Sequence, residues 1–228
     1  MTHADEYCVS GPLWFFGKIE LSVVMVLLCH RLSPENHRCI ITVLWAALQI
    51  PIDGHLLHMK ESEIRQGLAR IRQQTKQGNE SELVIWVISH ELACSQRPLR
   101  DHPRFGCRSP LPPEAKSEVV RWVSRIKDMG IRSIICLLEY DQLDRYYIRG
   151  GLNLHPDGLL GYYMQCGFYI RHFSIADYQR PAATLMDKVL EEFDRLPKPV
   201  LIQCSASIDR TTHVVAYIAA KRYRMRSG

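Results

Sequence analysis

The sequence lacks an apolar stretch long enough to cross a membrane. The apolar run from Leu21 to Cys29 is followed directly by His30 and Arg31, and it has about half of the roughly 20 residues that a spanning helix needs. We therefore interpret this run as buried core. No secretory signal opens the chain. We expect a cytoplasmic protein without a membrane span.

Paired cysteines are also missing. The eight cysteines include no Cys-x-x-Cys pair, and their spacings form no compact disulfide framework. The absence of a framework favours a reducing compartment, and no spacing matches a standard zinc site. We predict neither a metal nor another cofactor. The cysteines and histidines considered as metal ligands are Cys29, His30, His37, Cys39, His90, Cys94 and Cys107.

The chain has no strong excess of one sign of charge. A net charge of +5 suits an anionic ligand, but the positive residues are spread along the sequence. The most basic segment, Glu61 to Lys76, would suit a nucleic-acid recognition helix, yet no aromatic platform accompanies it. A solvated charged face is the commoner origin of such a pattern. Nucleic-acid binding is therefore an alternative that we do not expect.

Two segments of different character follow one another, and the polar stretch from Gln73 to Glu82 is the predicted boundary between them. Residues 1–80 are expected to form a helical accessory region of unknown role, with helices over Ile19 to Arg31, Arg38 to Gln49 and Glu61 to Lys76. Residues 81–228 are expected to form the second domain. The chain ends soon after Tyr223, so truncation of this domain is left open.

The second segment alternates between strand and helix patterns, which predicts an α/β fold with a central, mainly parallel sheet flanked by helices. Turn residues such as Gly130 and Pro197 separate the elements. The predicted strands are Val84 to Ile88, Ile131 to Leu138, Tyr169 to Ile175 and Val200 to Gln203, and the predicted helices are Pro113 to Met129, Pro181 to Arg195 and Thr211 to Tyr223.

The main candidate for chemistry is Cys204, which follows a buried strand and precedes Arg210 by five intervening residues at the start of a helix. Backbone N–H groups in such a loop, the positive end of the helix dipole and the planar guanidinium together form a cradle for phosphate. The same positive field favours the thiolate, which is the nucleophile. The predicted phosphate-binding residues are Ser205, Ala206, Ser207, Ile208, Asp209 and Arg210.

A second copy of the Cys-x5-Arg spacing, from Cys94 to Arg100, shows that spacing alone is weak support. Pro98 removes one N–H group from that loop, Asp101 follows the arginine, and no apolar helix comes next. We therefore reject Cys94 as the start of a phosphate loop.

Residues from about Ile85 to Tyr223 resemble the superfamily of protein tyrosine and dual-specificity phosphatases. Its signature is His-Cys, five residues, then Arg and Ser or Thr, and Cys204, Arg210 and Thr211 match it. The segment from Tyr169 to Pro181 resembles the strand and loop that carry the family's general acid, at Asp177. The segment from Met129 to Leu138 resembles an earlier helix, turn and strand of that fold.

The resemblance implies hydrolysis of a phosphomonoester, in a phosphorylated protein or another molecule, through a phosphocysteine intermediate. Cys204 would be the nucleophile, Arg210 the phosphate clamp and Asp177 the general acid, and Thr211 would donate a hydrogen bond to the departing thiolate. Phosphotyrosine, phosphoserine or phosphothreonine, and phosphoinositide substrates remain open. A competing interpretation makes Asp177 the cap of the helix near Pro181.

Three positions depart from the family pattern. Gln203 replaces the signature histidine, and Ser207 and Thr212 replace glycines, whose freedom of backbone conformation they do not share. These departures leave two alternative functions open: a catalytically weak or inactive phosphate-binding scaffold, and a regulator whose helical N-terminal region binds nucleic acid.

Overall fold

The structure, a computed structural model, describes residues 59–106 and 109–227. Two of the predicted helices, Ile19 to Arg31 and Arg38 to Gln49, lie outside these residues. Within them, no helix is both long and apolar enough to span a membrane.

A sheet of five strands confirms the predicted α/β fold class. The strands are β1 (Ile85–Ile88), β2 (Leu92–Gln96), β3 (Ser133–Cys136), β4 (Tyr169–His172) and β5 (Val200–Cys204), and they lie in the order β1-β2-β5-β3-β4. β1 pairs with β2 in an antiparallel hairpin, whereas all other pairs are parallel. The central strand, β5, is buried throughout.

Helices cover both faces of the sheet. They are α1 (Glu61–Lys76), α2 (Lys116–Asp128), α3 (Tyr140–Tyr147), α4 (Gly158–Gln165), α5 (Ala183–Arg195) and α6 (Thr211–Ser227), and a short 3-10 helix, Pro113–Ala115, precedes α2. Side chains alternate across each strand: Ile134 and Leu201 pack beneath α2, α3 and α4, whereas Ile135 and Ile202 pack beneath α1, α5 and α6.

Three elements were not predicted from the sequence: β2, α3 and α4. The apolar part of β2 is short, and its last residues, Ser95 and Gln96, are polar yet buried. A polar strand end of this kind resembles a loop when single residues are considered. The strand exists because β5 provides a complete parallel partner, with Leu92 opposite Val200 and Gln96 opposite Cys204.

Helix α1 packs into the same core as the sheet. Its apolar stripe, Ile64, Leu68 and Ile71, lies in one cluster with residues of β1, β2 and α6, including Ile218. This helix, which precedes the predicted boundary near residue 80, therefore lies against the α/β layer. The polar stretch after it is a turn between packed elements, with Arg70 bonded to Glu82 across it at 3.1 Å.

Truncation of Leu68 tests whether α1 is an integral part of this domain. Leu68 is 1% exposed, so Leu68→Ala should lower the free energy of unfolding by about 2–5 kcal/mol. The exposed neighbour Gln66 provides the control, since Gln66→Ala should change that free energy by less than about 0.5 kcal/mol. Urea denaturation measures both. Equal stability of the two variants would contradict the packing of α1 on the sheet.

Candidate functional site

Cys204 is the last residue of β5, at the carboxyl edge of the parallel strands. It lies opposite Gln96 in the ladder and is 2% exposed. The loop of residues 205–210 follows it, and α6 begins at Thr211. The N-terminal end of a helix therefore lies beside the thiol, where its dipole favours a negative charge. This arrangement matches the strand, loop and helix predicted from the sequence.

Ser207 adopts the left-handed backbone conformation that glycine adopts without strain. Its φ is 60°, which costs roughly 1–2 kcal/mol for a residue with a Cβ. Its side chain offsets this cost: the hydroxyl accepts a hydrogen bond from the N–H of Cys204 at 3.3 Å and donates one to the carbonyl of Ser95. Thr212 donates to the carbonyl of Ser207 at 2.7 Å. Thr212 therefore fixes the backbone of Ser207, while the Ser207 hydroxyl ties the loop to β2.

The loop presents several backbone donors around the thiol. The N–H of Ser207 points at the sulfur of Cys204, with a distance of 3.2 Å from N to Sγ. Among the described residues, none accepts a well-aligned hydrogen bond from the N–H groups of Ser205, Ala206, Ile208 or Asp209. These uncommitted donors are what an anion cradle requires. The carbonyl of Ser205 is fixed by the N–H of Arg97 at 3.1 Å.

Arg210 is 1% exposed, and its guanidinium is held on one side. Nη1 donates to the carbonyl of Leu137 at 3.3 Å, to the carbonyl of Ile175 at 2.9 Å and to Oε1 of Gln142 at 2.9 Å. Nη2 pairs with Oδ1 of Asp177 at 2.9 Å, and the buried Nε has no partner among the described residues. Nε and Nη2 form one edge of the guanidinium, so this edge carries one unused donor and one ion-paired donor.

Asp177 lies beside Arg210, with its Oδ1 in an ion pair with Nη2. Its Oδ2 accepts a hydrogen bond from Nε2 of Gln142 at 3.0 Å, and its backbone N–H donates to Glu139 at 3.2 Å. The helix after it, α5, begins at Ala183 with no side-chain cap. Asp177 therefore does not cap that helix, and the competing interpretation is wrong.

Sequence reasoning missed Gln142 and Glu139. Both belong to the start of α3, where the side chain of each residue bonds to the backbone of the other in a capping box. Gln142 is 2% exposed and connects Arg210 to Asp177 through the two ends of one amide. The Glu-x-x-Gln spacing after a predicted strand was the available signal for the helix start. Nothing in that spacing indicates the contact with Arg210.

The remaining predicted site residues lie close to the loop. The Thr211 hydroxyl is buried and has no hydrogen-bond partner among the described residues. Its expected hydrogen bond to the departing thiolate of Cys204 therefore stays a prediction. Asp209 is half-buried and makes no side-chain bond within the described part of the chain. At the signature-histidine position, Gln203 donates to the hydroxyl of Tyr163 at 2.9 Å.

Two other thiols, those of Cys94 and Cys136, lie near the site. Burial raises the pKa of the Cys136 thiol to about 12 and raises the pKa of the Cys94 thiol well above its ordinary value. Cys94 lies inside β2, and the guanidinium of Arg100 is bonded to Asp101 at 2.7 Å. The structure therefore agrees with rejecting the earlier Cys-x5-Arg segment. No cluster of metal-ligating side chains occurs in residues 59–106 and 109–227.

Comparison with known proteins finds similarity in structure. No family model matches the sequence, and no curated protein matches it. The kinase associated phosphatase, crystallised with serine in place of its catalytic cysteine, is 21% identical, with a TM-score of 0.43 over 57% of this chain and 65% of that one. Tk-PTP in its active form is 19% identical, with a TM-score of 0.33 over 55% and 63%. The match spans less than two thirds of either protein.

Proposed function

We propose that this chain hydrolyses phosphomonoesters through a phosphocysteine intermediate, as a cysteine-dependent phosphatase. The observation that carries the proposal is the orientation of Arg210. Three acceptors hold Nη1, whereas the edge formed by Nε and Nη2 has, among the described residues, no acceptor other than Asp177. A planar guanidinium binds two phosphate oxygens through such an edge.

The first step is attack by Cys204 on phosphorus. The sulfur forms a bond to phosphorus while the bond to the leaving oxygen breaks, and Asp177 gives that oxygen its proton. Arg210 and the loop N–H groups stabilise the charge on the phosphoryl oxygens, so the step needs no metal. In the second step, water attacks the phosphocysteine while Asp177 takes up a proton. The buried Thr211 hydroxyl, which has no hydrogen-bond partner in the described part of the chain, donates to the departing thiolate.

Asp177 and the phosphate compete for the same edge of Arg210. The dianion of a substrate offers two oxygens to Nε and Nη2, whereas Asp177 offers Oδ1 to Nη2 alone. A bound phosphate would therefore displace the carboxylate from Arg210. Gln142 retains Oδ2 through its Nε2 while its Oε1 holds Nη1. Gln142 thus keeps the carboxyl group next to the clamp, where the leaving oxygen would lie.

The second candidate is a module that binds phosphate without turning it over. Two observations favour it: the ion pair between Arg210 and Asp177, and the exposure of Cys204, which is only 2%. A phosphorylated protein is the proposed partner in either case. Nucleic-acid binding is less favoured because the arginines of α1 pair with carboxylates, as Arg65 does with Glu61 at 3.0 Å and Arg72 with Asp101 at 2.7 Å.

Replacement of the nucleophile separates the two candidates. Cys204→Ser should reduce the hydrolysis of an aryl phosphate on the order of a thousandfold or more, since a hydroxyl lacks the reactivity of a thiolate. Cys94→Ala is the matched control, because this cysteine starts the same spacing but should leave the rate nearly unchanged. The measurement is steady-state turnover, with thermal unfolding to verify the fold. Turnover that survives in Cys204→Ser would refute the mechanism, and absence of turnover in the unaltered chain would favour the module.

The role of Asp177 is tested by the leaving group. Asp177→Asn retains a side chain of the same shape but has no proton to give, so it should slow a poor leaving group by about 10²–10⁴-fold. An activated aryl phosphate, whose oxygen needs no proton, should be affected far less. The ratio of kcat/KM for the two substrates measures this difference. An equal loss on both would show that Asp177 is not the acid.

A further inference from the structure

A basic cavity lies between the C-terminal end of α1 and the loop after β2. Its volume is about 360 Å³. Cationic side chains reach it from two separate segments of the chain, one helical and one in a loop. The lining residues are Arg72, Lys76, Arg100, Asp101, His102, Pro103 and Gly106.

One carboxylate organises the cations of this cavity. The side chain of Asp101 is 2% exposed, and it accepts a bond from Nε of Arg72 at 2.7 Å and from Nη1 of Arg100 at 2.7 Å. Lys76 lies farther away, at 4.0 Å, and is 61% exposed. The charge of one arginine is enough to neutralise the buried carboxylate of Asp101. The charge of the second arginine and the charge of Lys76 are therefore not needed to attach α1 to the loop.

Several hydrogen-bond donors in the lining have no acceptor among the described residues. Arg72 bonds to Asp101 through Nε, so its two Nη groups are uncommitted within the described residues. His102 accepts hydrogen bonds at Nδ1 from the N–H groups of Arg104 and Phe105, both at 3.2 Å. A ring that accepts at Nδ1 carries its proton on Nε2, which is a further donor. Donors and positive charge outnumber acceptors in the cavity.

The cavity and the phosphate loop belong to the same edge of the sheet. β2 and β5 are parallel, and their last residues, Gln96 and Cys204, lie opposite each other. The segment that lines the cavity leaves β2 at this edge, and its first residue, Arg97, bonds to the carbonyl of Ser205 at 3.1 Å. The two places are therefore connected through the ends of adjacent strands.

We propose that this cavity is a second oxyanion site, which binds a phosphate group other than the one that Cys204 attacks. The chemistry that it recognises is a phosphomonoester dianion, because a dianion satisfies two surplus cations at once. The group comes from a doubly phosphorylated substrate or from a separate phosphorylated molecule. Only the first of these sources rests on the proposed function, whereas binding at the cavity does not depend on turnover.

Site-resolved binding of inorganic phosphate to the full chain tests the inference. In amide NMR spectra, the backbone signals of Arg100 and His102 should shift with phosphate independently of the signals of the 205–210 loop. Lys76→Gln and Arg100→Gln should each weaken binding at the cavity about tenfold, since each removes a charged partner. Lys76 is exposed and makes no close bond, so its variant does not depend on refolding of the core.

Arg132→Gln is the control, because it removes the same charge from an exposed position at the start of β3, on the opposite edge of the sheet. Equal weakening by Arg132→Gln, or the absence of any shift at Arg100 and His102, would overturn the inference. Shifts at the cavity without shifts in the 205–210 loop would instead count against the proposed function while supporting the second site.

Kinetics then distinguish the two sources of the phosphate group. For a doubly phosphorylated peptide, Lys76→Gln should raise KM about tenfold while KM for an aryl phosphate stays unchanged, if the substrate occupies both sites. If KM is unchanged for both substrates while phosphate binding at the cavity is weakened, the ligand is a separate phosphorylated molecule. If the cavity binds phosphate equally well in the unaltered chain, in Lys76→Gln and in Arg100→Gln, neither source of the phosphate group is supported and the inference is wrong.

Discussion

The burial of the Arg210 guanidinium is the constraint on which the candidate site depends. A charge that is removed from water is tolerated only where hydrogen-bond acceptors and counter-charge surround it. Arg210 is 1% exposed, and the carbonyls of Leu137 and Ile175 and the amide of Gln142 hold one of its terminal nitrogens. These contacts fix the plane of the guanidinium. The edge that remains is therefore presented in one orientation, next to the loop that begins at Cys204.

The sheet topology brings these acceptors together. Leu137 follows β3 directly, Ile175 follows β4, and β5 leads into Cys204. Because β3, β4 and β5 run parallel, their carboxyl ends meet at one edge, which is where ligands bind in open α/β sheets. Ser207 ties the same loop to β2 through Ser95. Each strand of the parallel part of the sheet thus contributes to the geometry of the loop.

Local patterns predicted the elements better than the contacts between them. The strand, loop and helix around Cys204 were visible because apolar residues, small residues and an Ala- and Val-rich helix follow each other in the sequence. The contact of Gln142 with Arg210 joins residues far apart in the chain, and no periodicity reports it. Strand β2 was missed for the same reason, since its buried polar end is stabilised by pairing with β5. The Ser207 hydroxyl likewise acts through a contact with Ser95 on β2, which no local pattern reports.

In the proposed mechanism, the sulfur of Cys204 becomes covalently attached to phosphorus during turnover. Quenching the reaction of an aryl phosphate by denaturation, followed by peptide mass spectrometry, tests this claim directly. The account predicts a phosphate adduct on the peptide that contains Cys204, with none on the peptides that contain Cys94 or Cys136. Turnover without an adduct on Cys204, or an adduct on another residue, would contradict it.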